Sequence, residues 1–302
     1  MKKVTAILLV MVMVFSFAAC GNNNTTTSTA SGTGSTDTAA KFDATKAITV
    51  ISREEGSGTR DAFIELTGVQ TKDADGNKTD NTTDEAVIID GTQAVMSSVA
   101  SNEYAIGYIS LGSLNDTVKA AKVGGVAPSA SSIKDGSYIL ARPFNIATKE
   151  NLSEVAQDFV DYILSTDGQK VVEANGCVAL DATEPYAGSK PSGKIVIVGS
   201  SSVSPVMEKL KEAYLTVNTN ATIEIQTLDS SAGISAAASG TCDIGMASRA
   251  LKDSEKATLT ETKIAMDGIA VIVNNDNPTE DLTKDQIAKI FKGEAEAWDE
   301  IG

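Results

Sequence analysis

Three stretches of the sequence place hydroxyl and glycine residues directly after an apolar run. They are Ser57-Gly58-Thr59 in SREEGSGTRD (52–61), Ser200-Ser201-Ser202 in VGSSSVSP (198–205), and Ser230-Ser231-Ala232-Gly233 in DSSAGIS (229–235). Each leads into a helix-like segment. A helix start leaves backbone N–H groups unpaired and carries partial positive charge, and small hydroxylated residues there let an oxyanion come close. Any one of these motifs could be an ordinary cap, because Ser and Thr are the usual N-caps. Together, and with Arg53 just before the first, they point to a seat for an anion. Arg53 would supply a planar and bidentate cation. Glu55 is expected to hold that guanidinium, with Arg60 either assisting from the helix side or solvated.

The rest of the composition narrows the chemistry. The 302 residues contain no histidine, which removes a Ser-His-Asp triad, His-ligated zinc and the commonest general base. A hydrolase with Ser57 or Ser201 as nucleophile would therefore lack its base. No metal-ligand spacing is present, so we expect no catalytic residues, no metal and no cofactor. A formal charge of −15 with only 5% aromatic residues argues against a nucleic-acid partner, since phosphate backbones demand a basic face. An anion site in such a chain must work through local dipoles and a few cations. Cys177 and Cys242 could pair in an exported protein or remain buried thiols.

The elements that must position these residues alternate in an α/β pattern. Strand candidates are 47–52, 105–111, 194–200, 222–228 and 268–274. Helix candidates are 59–68, 91–101, 152–165, 204–217, 232–240 and 283–293. In the helix 152–165, Val155, Phe159, Tyr162 and Ile163 share one face and read as core. The stretch DATEPYAGSKPSG (181–193) has no apolar period and reads as a linker. Residues 1–19 have the basic start and apolar stretch of an export signal, and small residues precede Cys20. Cys20 is expected to carry a lipid, the other reading being an ordinary signal with an incidental cysteine. Residues 20–45 read as a polar tether.

Several segments carry a family resemblance: ITVISREEGSGTRDAF, VIVGSSSVSPVMEKLKEAY, DSSAGISAA, CDIGMASRALKDSEKA, MDGIAVIVNNDNP and LTKDQIAKIFKGEAEAWDEIG. They resemble the phosphate-binding receptors of bacterial phosphate ABC importers, in the compact lipoprotein branch of Gram-positive bacteria. The resemblance implies a two-lobed, periplasmic-binding-protein-like (type II) α/β fold with a ligand cleft between the lobes. It implies phosphate contacts at Arg53, Ser57, Gly58 and Thr59 from one lobe. Ser201, Ser202, Ser230 and Ser248 would make them from the other. It also implies a membrane permease as partner and a lipid-anchored, extracytoplasmic location.

The sequence departs from the family in two ways. The segments stand in the order expected of a circular permutation, with 181–193 joining the old termini; a rearranged gene or a piece of a tandem array is the other account. Lobe B would then comprise 45–141 with 269–302, and lobe A 142–268. Many family members have an aspartate beside the "AS" of MASR, where this chain has Ser248 and Arg249. That aspartate accepts the phosphate proton, so a receptor for another tetrahedral oxyanion such as sulfate is an alternative. A surface or adhesin protein that binds no ligand on the same fold is a second. Glu55 or a backbone carbonyl could replace the acceptor, and Asp267 lies at a lobe crossing.

Overall fold

The computed structural model describes residues 41–182 and 184–301. The expected signal 1–19, the lipidated Cys20 and nearly all of the tether lie outside the described residues. The first run comprises β1 (Thr49–Arg53), α1 (Gly58–Thr67), a hairpin of β2 (Gln70–Lys72) and β3 (Lys78–Asp80), β4 (Val87–Ile89), α2 (Thr92–Ala100) and β5 (Ala105–Ser110). Next come β6 (Lys119–Ala120), β7 (Lys122–Val123), α3 (Ala130–Lys134), β8 (Ala141–Thr148), α4 (Glu154–Leu164) and α5 (Thr166–Ala174). The last run is β9 (Gly193–Ser200), α6 (Ser204–Val217), β10 (Ala221–Leu228), α7 (Ser230–Ser239), β11 (Ile244–Ala247), α8 (Asp253–Lys256), β12 (Thr260–Val273), β13 (Asp281–Leu282) and α9 (Lys284–Lys292).

Local chemistry accounts for the helix ends. Ser153 accepts a hydrogen bond from the Ala156 N–H to start α4, and the stripe Val155, Phe159, Tyr162 and Ile163 is buried, as the sequence pattern requires. Thr283 and Gln286 form a reciprocal capping box on α9, and Gly293 closes it in the left-handed conformation (φ 71°). Every residue of β5, AIGYIS, is buried, so a continuous apolar run replaces alternation.

The principal sheet has the order β10-β9-β11-β8-β12-β5-β1-β4, with β6 against β12. β9, β10 and β11 are mutually parallel, as are β4, β1 and β5. Antiparallel β8 and β12 join the two groups. β12 pairs through Thr260–Gly268 with β8, and then through Ile269–Val273 with β5. The expected strand 268–274 is thus only the second part of a 14-residue strand. Its first part, TETKIAMD, begins with four polar or charged residues, exposed or half-buried, so it lacks the apolar run that marked the second part.

The apolar interior is partitioned. One cluster, including Phe144, Phe159, Ile197, Tyr214, Ile244 and Ile264, draws on residues 144–177 and 195–265. Another, including Phe63, Ile106, Tyr108, Val271, Phe291 and Trp298, draws on residues 50–140 and 269–298, with Val178 added. From Phe42 onward the chain forms one compact unit. Cys177 and Cys242 are both buried free thiols, so the pairing left open by the sequence is not made. Burial pushes the Cys242 thiol up to about 11.

Among its described residues, the segment 181–193 has no helix or strand before β9, as expected, but it is firmly held. Buried Asp158 on α4 accepts hydrogen bonds from the hydroxyls of Tyr186 and Tyr214, both at 2.6 Å, and from the Ser189 N–H at 3.1 Å. The Tyr186 N–H donates to Asp167 at 3.0 Å.

Candidate functional site

Two groups of parallel strands point toward each other along β8 and β12. β5 ends with Ser110 opposite Ile269, and β11 ends with Ala247 opposite Asn145. In open α/β sheets ligands bind beyond the carboxyl ends of strands. Here the ends of β1, β4, β9, β10 and β11 lead directly to Arg53 and Ser57, Thr92, Ser201 and Ser202, Ser230, and Ser248 respectively.

These residues form one buried polar cluster. The Arg53 guanidinium, 2% exposed, donates from Nη2 to Ser201 Oγ at 3.0 Å and from Nη1 to Thr92 Oγ1 at 3.5 Å. Thr59 Oγ1 shares a hydrogen bond with Ser202 Oγ at 2.8 Å, and lies 3.5 Å from Ser248 Oγ. Ser230 Oγ accepts from the Ser248 N–H at 3.1 Å and lies 3.3 Å from its hydroxyl. Gly58 sits beneath them: a Cβ there would stand 2.5 Å from Ser230 Oγ and 2.9 Å from Ser248 Oγ. A side chain at 58 would fill this space, so glycine is required by close approach.

Seven of the eight expected contact residues therefore gather directly. Arg53, Thr59, Ser201, Ser202, Ser230 and Ser248 do so by side chain, and Gly58 does so by packing. Ser57 is adjacent and buried, but its hydroxyl serves as the α1 cap, accepting from the Arg60 N–H at 3.4 Å. α7 begins at Ser230, capped by Asp229 through the Ala232 N–H at 2.8 Å, two residues before the expected start.

One expectation needs correction, and one choice left open by the sequence is decided. Glu55 is exposed and does not hold Arg53. Glu54 does, accepting from Nε and Nη2 at 2.6 Å each. β1 ends at Arg53, so the turn directs the next residue inward and the following one to solvent. Burial tends to raise the Glu54 carboxyl, but the hydrogen bonds and charge of Arg53 outweigh it and hold the group below the usual carboxylate range. Arg60 is not merely solvated: it donates to the Arg53 carbonyl at 2.8 Å and pairs with Asp80 at 2.9 Å.

Sequence reasoning missed Thr92 and Arg142. Thr92 follows VIID in an Asp-Gly-Thr turn, the same strand-turn-helix signature as the other three motifs, but β4 has only three residues. Arg142 lies inside the apolar run YILARPF, where spacing reveals no partner. It pairs with Asp267 at 3.1 Å, both nearly inaccessible, and donates to the Ser248 carbonyl at 3.2 Å. Asp267 also accepts from the Gly112 N–H at 3.4 Å. Burial pushes the Asp267 carboxyl up, opposed by the Arg142 charge.

Arg249 reaches the Ser231 hydroxyl at 3.4 Å but donates to none of the clustered hydroxyls. It makes a two-pronged pair with Glu255, at 2.8 Å for each contact, and approaches Asp61 of α1 at 3.1 Å. The site thus offers hydroxyls, helix starts and one guanidinium, an arrangement suited to binding an oxyanion through many charge-assisted hydrogen bonds. Among the described residues there is no cluster of acidic or cysteine side chains able to hold a metal ion. No described helix is long and apolar enough to cross a membrane.

The pattern of the PBP superfamily domain matches residues 23–167 and 184–302 of the chain. The chain is similar to phosphate-binding protein PstS 2 of Streptococcus agalactiae serotype V, at 49% identity over 269 residues, 88% of this chain and 91% of that protein. It is equally similar to phosphate-binding protein PstS 2 of Streptococcus pneumoniae serotype 4, at 49% over 264 residues, 87% of this chain and 90% of that protein. The crystal structure of a phosphate ABC transporter phosphate-binding protein from Streptococcus pneumoniae TIGR4 superposes with a TM-score of 0.68. It has 49% identity and covers 85% of this chain and 100% of that chain.

Proposed function

We propose, from the premise that this chain belongs to the PBP superfamily and within it to the phosphate-binding proteins, that it captures inorganic phosphate and delivers it to an ABC transporter. The observation that carries this reading is the convergence of Arg53 with Thr59, Ser201, Ser202, Ser230 and Ser248 from the ends of opposed strand groups. Phosphate would accept from Arg53, from the hydroxyls and from N–H groups at the helix starts, with Gly58 allowing the backbone to approach. The protein acts as a receptor and not as an enzyme.

In this reading 45–141 with 269–302 form one lobe and 142–268 the other, in keeping with the partitioned core. The ligand is held between them, and closure removes water and strengthens each charged hydrogen bond. Circular permutation accounts for the segment order. It is supported by the meeting of residues 44–48 with 296–299, where the Ile48 N–H donates to the Glu296 carbonyl at 2.7 Å and the Asp299 N–H to the Ala44 carbonyl at 2.9 Å. Residues 1–19 direct export and Cys20 carries the lipid that holds the receptor at the outer face of the membrane, beside its permease. Cys20→Ser should release the protein into the medium.

Calorimetry on the soluble chain with phosphate and with sulfate tests the ligand. Phosphate should bind far more tightly; equal sulfate affinity would sink the assignment. Hydroxyls that can accept as well as donate would accept the hydrogen bond of the phosphate P–OH in place of the family's aspartate. Ser248 and Thr59 are so placed.

A further inference from the structure

β4 is the fifth strand whose carboxyl end leads to the site, and it delivers Thr92. The side chain is buried. Its Oγ1 lies 3.2 Å from Ser202 Oγ, 3.3 Å from Ser201 Oγ and 3.5 Å from Arg53 Nη1. Arg53 Nη1 can only donate, so the Thr92 oxygen faces the guanidinium as an acceptor. The two serine contacts, at 3.2 and 3.3 Å, are longer than the about 2.7–2.8 Å usual between hydroxyls, so neither holds the single Thr92 proton tightly. The three neighbours are residues that would grip the ligand from both strand groups.

Helix capping supplies an independent observation. α1, α4, α5, α7 and α9 each have a side-chain cap, from Ser57, Ser153, Ser165, Asp229 and Thr283. Among the described helices of similar length, α2 and α6 have none. Both start at the hydroxyl cluster. α6 follows Ser201 and Ser202, while α2 follows Gly91, which has no side chain and adopts φ 82°. An anion bound there would supply the acceptor that those helix starts lack.

We propose that Thr92 is a further ligand-contacting residue, its hydroxyl donating to an oxygen of the oxyanion beside Arg53, Ser201 and Ser202. This rests on the phosphate reading above.

Calorimetry with inorganic phosphate on the native chain, Thr92→Val and Thr92→Ser tests it, with thermal melting of each. Thr92→Val keeps the shape and should weaken binding about tenfold or more, whereas Thr92→Ser should remain within about threefold. Unchanged affinity in Thr92→Val overturns the proposal. Equal losses in both variants with lowered melting temperatures also overturn it, because they mark a packing role. A native chain that does not bind phosphate refutes the parent reading before any variant is made, and this proposal with it.

Discussion

Arg53 and Ser201, 148 positions apart in the chain, meet at 3.0 Å through Nη2 and Oγ. One comes from the end of β1 and the other from the end of β9, and each strand belongs to a different parallel group of the sheet. The guanidinium is also neutralised in place by Glu54, which offsets the cost of burying its charge.

Replacing Arg53 removes the site's principal cation. Arg53→Lys cannot reproduce two parallel bonds to Glu54 together with a donor to Ser201. Phosphate affinity should fall by about 100-fold, near 3 kcal/mol, for the lost charged hydrogen bonds. Calorimetry checks this, and a Kd within a factor of about three of the native value would contradict it.

Gly58→Ala tests whether the closed approach of the two groups matters for binding. The new Cβ would stand 2.5 Å from Ser230 Oγ and 3.1 Å from Arg249 Cγ. Alanine is a better helix former than glycine. The clash should hold the two groups apart, so phosphate affinity should fall more than tenfold, by about 1.4 kcal/mol or more, while the better helix former limits the loss in the urea midpoint. Loss of stability without loss of affinity would refute this.

Glu54 links the site to pH. Its folded-state value is lowered, so it stabilises the fold above the ordinary carboxylate range, and this contribution disappears as pH falls through the lowered value. Glu54→Gln should melt at a lower temperature than the native chain near pH 7. The gap should close as pH falls below the ordinary carboxylate range and through the lowered value, where Glu54 takes up its proton and is neutral like the glutamine. Melting curves across that range decide it, and a constant gap would exclude the linkage.

Asp158 tests how the segment 181–193 is held. Asp158→Ala leaves the hydroxyls of Tyr186 and Tyr214 and the Ser189 N–H without their acceptor. The cost should be about 2–4 kcal/mol in urea unfolding. Limited proteolysis should also cut faster within 184–192. Unchanged proteolysis would mean that other contacts fix the segment.

The sequence by itself determined much of this protein, for physical reasons. A strand end, a glycine and a hydroxyl before a helix read as an anion seat because those properties are local, and α6 spans the expected 204–217 because its Pro205 start and apolar period are local too. The same locality made Arg53 legible. Its partner was not: whether Glu54 or Glu55 faces the guanidinium depends on how the turn after β1 leaves the sheet. β12 was read at half its length because its pairing with β8 is long-range. The free thiols, the Arg142–Asp267 pair and Thr92 likewise depend on which strands lie side by side. Local sequence chose the groups, and the register of the sheet decided which of them meet.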